Sequence, residues 1–357
     1  TMLGHEELIR NLYYSTRLAR EHGFPLRTWV QNDVPGSSFA VPEILARSGI
    51  DYYLGGLNTG VGGSLAEPDH GVRPVWWVGP DGSRVLSWVT FHSYAEGFRY
   101  GFSFFDNLAN LYEKLGRELP ALEEAGHPYP ELMLLRGFDN HYQGFHVRNL
   151  VNQWNATYDT PHFVLSSFED FMDHMLATYG PESFPEYSGD FGAAWARSRA
   201  QTPHTTERIR RSHRNGRAAE ALLALAAEVD GDPLPLDDLD FLYNRMLTSD
   251  EHTGAGGWPG YFTPEEMDRN NRIHLEYATD AADTADRLLV DGVDRLVQQL
   301  PASGDTVVAV NPLGRERDGW CRIQLPPELY GSTFRVVQTE SGTEIPFQRI
   351  GSDSSIL

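Results

Sequence analysis

Apolar positions along the first ninety residues follow two alternating periods. Over residues 6–22, Leu8, Ile9, Leu12, Tyr13 and Leu18 recur at helical spacing, and His22-Gly23 supplies a C-terminal stop. A short strand pattern, Leu26 to Gln31, follows and runs into the polar turn Asn32-Asp33-Val34-Pro35-Gly36-Ser37-Ser38. The pattern then predicts a helix over Val41 to Ser48, closed by Gly49, and a strand over Ile50 to Leu54. Strand, loop, helix, strand is the rhythm of a parallel α/β unit. Val75-Trp76-Trp77-Val78 and Val85-Leu86-Ser87-Trp88-Val89, separated by Gly79-Pro80-Asp81-Gly82-Ser83, predict a hairpin. A helix near 105–126 and an apolar strand, Glu131 to Leu135, predict a further α/β unit that ends at Arg136-Gly137-Phe138-Asp139.

The texture changes near Tyr187. Residues 205–300 read mostly as helix, with Thr263-Pro264-Glu265-Glu266 combining an N-cap, a first-turn proline and a capping-box glutamate. Past Pro301 short alternating strands take over: Thr306 to Val310, Arg322 to Leu325 and Phe334 to Gln338. The expected organisation is therefore a multidomain α/β plus α plus β chain. It has an incomplete, parallel β/α barrel-like unit over 1–186, a helical bundle over 187–300, and the beginning of a β-sandwich domain over 301–357.

Composition narrows the function. Among 357 residues, 40% are hydrophobic and 22% charged, values of a folded protein rather than a disordered one. Cys321 is the single cysteine, which excludes an internal disulfide framework and a cysteine-built zinc site. A formal charge of −21 argues against nucleic acid or an anionic membrane as the partner, since both require a basic face. No apolar run approaches the roughly 20 residues of a transmembrane helix, and residues 1–20 do not read as a signal peptide. The start falls in mid-pattern, so the compartment stays open, as does the oligomeric state.

Asp33 falls where a predicted strand ends, and carboxyl ends of strands build the ligand sites of parallel α/β proteins; an aspartate beside Pro and Gly is also an ordinary turn former. Asp139 closes the predicted strand at 131–135 in the same way. Two carboxylates on one rim are what glycoside hydrolysis requires, one ionised and one able to donate a proton; a structural loop acid is the alternative reading of Asp139. His252 follows a helix and precedes Thr253-Gly254-Ala255-Gly256-Gly257, and reads either as a C-cap or as a metal ligand. Trp258 and Tyr94 are aromatic candidates for stacking on a sugar ring. The arginines at 208, 210, 211, 214 and 217 read as an exposed helix face.

Taken in order, these stretches resemble glycoside hydrolase family 38, the retaining α-mannosidases that depend on a divalent metal, usually zinc. Gly4 to Ser38 is similar to the family's helix followed by Trp-x-x-Asp-Pro-Phe-Gly-His-Ser, and Asp33 matches the nucleophile, also a metal ligand. Leu132 to Asn140 resembles the strand ending in Gly-Asp-Asp-Phe, placing Asp139 at the proposed acid/base. Gly189-Asp190-Phe191 resembles the stretch that opens the family's helical region. Glu251-His252 falls at His-His-Asp-x-x-x-Gly-Thr, placing His252 on the metal-binding histidine. Val307 to Pro312 resembles the strand that opens the C-terminal β-domain. The sequence departs from the pattern where Asp33 is followed by Val34-Pro35-Gly36-Ser37, and where Gly137-Phe138-Asp139-Asn140 keeps one of two acids.

The resemblance implies a carbohydrate substrate, one divalent metal held in part by Asp33 and His252, a covalent sugar intermediate on Asp33, and proton transfer by Asp139. Two further ligands come in the family from His-x-Asp on a first strand. None of the 13 histidines here is followed two residues later by aspartate. A fragment lacking that strand is the favoured expectation over a degenerate copy, and such a chain is expected to bind zinc weakly and turn over little. The rival readings are a metal-dependent carbohydrate deacetylase and a sugar-binding pseudoenzyme without catalysis.

Overall fold

A computed structural model describes residues 3–34, 36–56, 73–90, 92–139, 144–191, 199–252, 261–301, 306–350 and 355–356. The chain opens on α1 (His5–His22), whose C-terminus is closed by Gly23 in the left-handed conformation. Then come β1 (Thr28–Gln31), α2 (Val41–Arg47) and β2 (Tyr52–Gly56), with β1 and β2 parallel and Thr28 opposite Tyr52. The predicted hairpin forms as β3 (Val75–Val78) and β4 (Arg84–Thr90), antiparallel to each other, with β4 parallel to β2. After α3 (Glu96–Arg99), α4 (Leu108–Glu124), α5 (His146–Thr157) and α6 (Phe168–Tyr179), a short β5 (Glu186–Tyr187) joins the edge. The five-stranded mixed sheet has the order β1-β2-β4-β3-β5.

Both faces of this sheet are covered, which explains why β2 is buried at every position rather than alternating. Tyr53, Val85 and Val89 point to one side, against Leu8, Leu12, Ile44 and Leu45 of α1 and α2. Tyr52, Leu54, Leu86 and Trp88 point to the other, against Met172 and Met175 of α6 and the apolar run Leu132, Met133 and Leu135. That run was expected as a strand, and here the structure differs: residues 131–138 carry no strand. Its carbonyl and amide groups are satisfied one at a time instead, with Gly97 donating to Leu135 at 2.8 Å and Gly137 donating to Tyr94 at 2.6 Å. The apolar sequence was dictated by packing on the sheet, not by a ladder.

At the opposite end of β1 and β2 from the strand termini considered below, Arg27 grips Asp173 of α6 through both guanidinium nitrogens at 2.9 Å, and the Tyr52 hydroxyl joins the same carboxylate. The Arg27 and Tyr52 bonds hold Asp173 well below the usual carboxylate range, at about 2. A depressed folded-state pKa stabilises above the unfolded value near 4 and is lost as pH falls through about 2. Asp173 is nearly half exposed, so the contribution is expected to be about 1 kcal/mol at most. Melting Asp173→Asn beside the wild type should show a small deficit at pH 6 that closes by about pH 2; a deficit that persists at low pH would mean the effect is steric.

Two compact units divide the chain: residues 1–209 with 243–278, and residues 210–242 with 279–357. The remaining elements are α7 (Pro203–Asp230), α8 (Leu236–Asp250) and α9 (Pro264–Gln298), then β6 (Ile323–Gln324), β7 (Val336–Val337), β8 (Glu344–Ile345), β9 (Arg349–Ile350) and β10 (Ser355–Ile356). The Thr263 capping box at α9 closes as expected, with Glu266 N–H donating to the Thr263 hydroxyl at 3.2 Å and Thr263 N–H to the Glu266 carboxylate at 2.8 Å. In the second unit, Arg295 forks onto Asp230 at 2.8 Å through two nitrogens, and Leu222, Leu223, Ala226, Ala281, Ala285 and Leu288 are buried. Among the described residues its strands pair as β6-β10-β9 and as β7-β8, all antiparallel. Among the described residues, no helix is long and apolar enough to cross a membrane.

Candidate active site

Three adjacent parallel strands, β1, β2 and β4, end on the same rim, and the residues just past each end meet there. Asp33 lies two residues beyond β1, with φ of 65°, a left-handed conformation that aspartate tolerates better than most residues. Its N–H donates to the Gly56 carbonyl at the end of β2, at 3.1 Å, which fixes the turn. Beyond β4, the Thr90 hydroxyl donates to Ser93 O at 2.7 Å and Ser93 takes φ of 53°, a tight reversal that leads into Tyr94.

Tyr94 joins the parts. Its hydroxyl donates to Asp33 Oδ2 at 3.0 Å. The same hydroxyl also meets Asp139; burial, Asp139 and Asp33, in that order, keep the phenol proton in place well above the ordinary tyrosine range. The backbone of Tyr94 accepts from Gly137, and a Cβ at Gly137 would sit 3.1 Å from Tyr94 Cβ, so the residue two before Asp139 is held against Tyr94 by the absence of a side chain. Asp33, Tyr94 and Asp139 are thereby brought together. Tyr94, expected to stack on a sugar, has its ring edge-on to Phe138 with centroids 6.2 Å apart and its hydroxyl on the Asp33 carboxylate.

Gly56 is a residue that motif reading passed over. A methyl group there would fall 2.8 Å from Ser93 Oγ and 2.9 Å from Ser93 Cα, and closer still to Asn32 Oδ1. Backbone atoms cannot yield as a flexible side chain would. Gly56→Ala is therefore expected to displace both turns that carry Asp33 and Tyr94, lowering the melting temperature by several degrees, equivalent to about 1–3 kcal/mol. A melting curve identical to wild type would refute this.

His252 lies just beyond the C-terminus of α8. It is exposed, with Nδ1 3.4 Å from Glu251 Oε2, while the other oxygen of Glu251 lies 3.4 Å from Nε2 of the buried His274 on α9. Burial pulls His274 below the ordinary histidine range, opposed by Glu251. Arg199 reaches into the same neighbourhood, donating to the carbonyls of Ser249 at 2.7 Å and Glu251 at 2.6 Å. Trp258 lies outside the described residues. Among the described residues no three His, Cys, Asp or Glu side chains gather as a metal ion would need.

Comparison with known proteins adds the following. Residues 1–190 match the family model described as the glycosyl hydrolases family 38 N-terminal domain. The crystal structure of an alpha-mannosidase from Enterococcus faecalis is similar over 98% of this chain and 41% of its own, at 16% identity and a TM-score of 0.67. A second structure, of a protein in glycosyl hydrolase family 38 from the same organism, is similar over 83% of this chain and 30% of its own, at 17% identity and a TM-score of 0.55. This chain thus spans well under half the length of either, and at such identities the likeness is one of fold. No curated protein matches the chain.

Proposed function

We propose, from the premise that this chain belongs to glycosyl hydrolase family 38, that it carries the nucleophile and the acid/base of a retaining glycosidase acting on α-mannosides. The reading is carried by one observation: the Tyr94 hydroxyl meets both the Asp33 and the Asp139 carboxyl groups. Two carboxyl groups that face one hydroxyl are near neighbours, and a close pair of acids is what the retaining reaction uses.

In this reading Asp33 serves as the nucleophile and Asp139 as the acid that gives a proton to the leaving oxygen. Asp33 attacks the anomeric carbon as the bond to the leaving oxygen breaks, and the Asp139 proton passes to that oxygen. Asp139, now a carboxylate, takes a proton from water; the water oxygen bonds to the anomeric carbon and Asp33 departs, so configuration is retained after two inversions.

Within this reading Asp33 and His252 would supply two donors to a divalent cation, zinc by the chemistry of an imidazole and a carboxylate, whose role when bound is to hold sugar hydroxyls and offset charge. No step is routed through it, because two donors fall short of a centre. Calorimetric titration of the chain with zinc is expected to return binding far weaker than the roughly 10 kcal/mol or more of a complete four-donor site; nanomolar affinity would contradict it.

The reading is tested by trapping. An activated fluorinated mannosyl donor should leave a covalent mannosyl ester, located on Asp33 by peptide mass mapping. An adduct on another residue, or none after prolonged incubation, would overturn the assignment.

A further inference from the structure

Gln31, the last residue of β1, reaches into the turn that carries Asp33. Its Nε2 donates to the Val34 carbonyl at 2.8 Å and to the Gly36 carbonyl at 3.2 Å, so one amide ties down the chain that follows Asp33. Its Oε1 accepts from the Ser37 hydroxyl at 2.6 Å. With Nε2 committed to two carbonyls, the other end of the amide is an oxygen, and Ser37 is the donor there. Ser37 has one proton to give, so the Tyr53 hydroxyl, 3.0 Å from Ser37 Oγ, donates in its turn. The run therefore has one direction: Tyr53 to Ser37, Ser37 to Gln31, Gln31 to the carbonyls of Val34 and Gly36.

Its far end is anchored in the core. Tyr53 on β2 is buried, edge-on to Trp77 with centroids 4.9 Å apart and stacked on Phe191 at 5.9 Å. Burial keeps its phenol proton in place, with the pKa pushed up to about 12. Ser37 is pinned through its backbone as well, donating to the Phe191 carbonyl at 3.1 Å and accepting from the Phe191 N–H at 3.0 Å. Ser37 stands where the motif quoted above has histidine, so the run is written in the stretch where this chain departs from that motif. Asp33 needs such support, because a φ of 65° is sparsely populated by residues with a side chain. The Gly56 carbonyl holds its N–H and Tyr94 holds its carboxylate, whereas the Gln31 amide holds the backbone on its other side.

We propose that Gln31 is a positioning residue for the nucleophile: its amide, backed by Ser37 and Tyr53, fixes the turn that aims the Asp33 carboxylate. The inference rests on the glycosidase reading above and adds to it a residue that acts through Asp33 rather than on the sugar.

The test applies two readouts to the whole 357-residue chain carrying Gln31→Met or Tyr53→Phe. Methionine keeps the length of glutamine and removes its three hydrogen bonds, while phenylalanine removes one oxygen and leaves the ring packing. Hydrogen exchange resolved to single amides should quicken roughly tenfold or more at Asp33 and Ser37 in Gln31→Met, with the amides of β2 unchanged. Trapping by the fluorinated mannosyl donor should slow at saturation roughly 10- to 100-fold in Gln31→Met and about 2- to 10-fold in Tyr53→Phe. The donor concentration that gives half the maximal rate should stay within about threefold, since the nucleophile's aim and not sugar binding has changed. The double variant should be no slower than Gln31→Met alone, because Tyr53 acts through Gln31. Exchange at Asp33 equal to wild type in both variants overturns the strut. Quickened exchange with a trapping rate within about twofold of wild type overturns the positioning role and makes Gln31 merely structural. Should Gln31→Met fail to fold, Tyr53→Phe decides both points. A wild type that forms no adduct overturns the glycosidase reading and the positioning role with it, while the strut still stands or falls on exchange at Asp33.

Discussion

Asp33→Asn is expected to abolish covalent trapping and to lower kcat/KM on an activated aryl α-mannoside by at least about 10⁴-fold, the scale of loss when a nucleophile is removed. Asparagine matches aspartate in shape and is among the few residues that accept a φ of 65°. Its N–H still reaches the Gly56 carbonyl, and its side-chain oxygen still accepts from Tyr94. The variant therefore keeps the turn and the hydrogen bond while losing the charge and the lone pair that attack carbon. A melting curve that overlays the wild type, together with the lost activity, places the effect in chemistry. Retention of activity within tenfold would remove Asp33 from the nucleophile's role, whatever the fold resemblance.

The sheet was legible because its grammar is local. Helix, strand, turn and helix from His5 to Arg47 each carry their own periodicity and stop signals, and the Pro-Asp-Gly hairpin between Val78 and Arg84 is written in five residues. The apolar run from Leu132 to Leu135 misled for the same reason: apolar sequence reports burial, and burial on one face of a sheet does not require membership of it. Asp33 could be found from its place after a strand. What Tyr94 does could not be, since its partners lie 61 residues before it and 45 after it, and nothing in Ser93-Tyr94-Ala95 announces either. The family match over 1–190 takes in Asp33, Tyr94 and Asp139 and does not reach His252.

Asp139→Ala should separate proton transfer from nucleophilic attack. Asp139 is exposed, so its loss costs little stability, and Tyr94 keeps its bond to Asp33. A poor leaving group needs the proton, so turnover of a mannobiose is expected to fall about 10²- to 10⁴-fold. A dinitrophenyl mannoside leaves without protonation, so its first step should change by less than about tenfold, and the mannosyl ester should accumulate because water is no longer activated. Added azide, which needs no general base, should then release the ester as a mannosyl azide of retained configuration. The steepened dependence on leaving-group acidity is the signature of a lost acid; a merely positional role would lower both substrates alike. Equal losses on the two substrates, with no rescue by azide, would assign Asp139 to positioning and send the search for the proton donor elsewhere on the rim beside Tyr94.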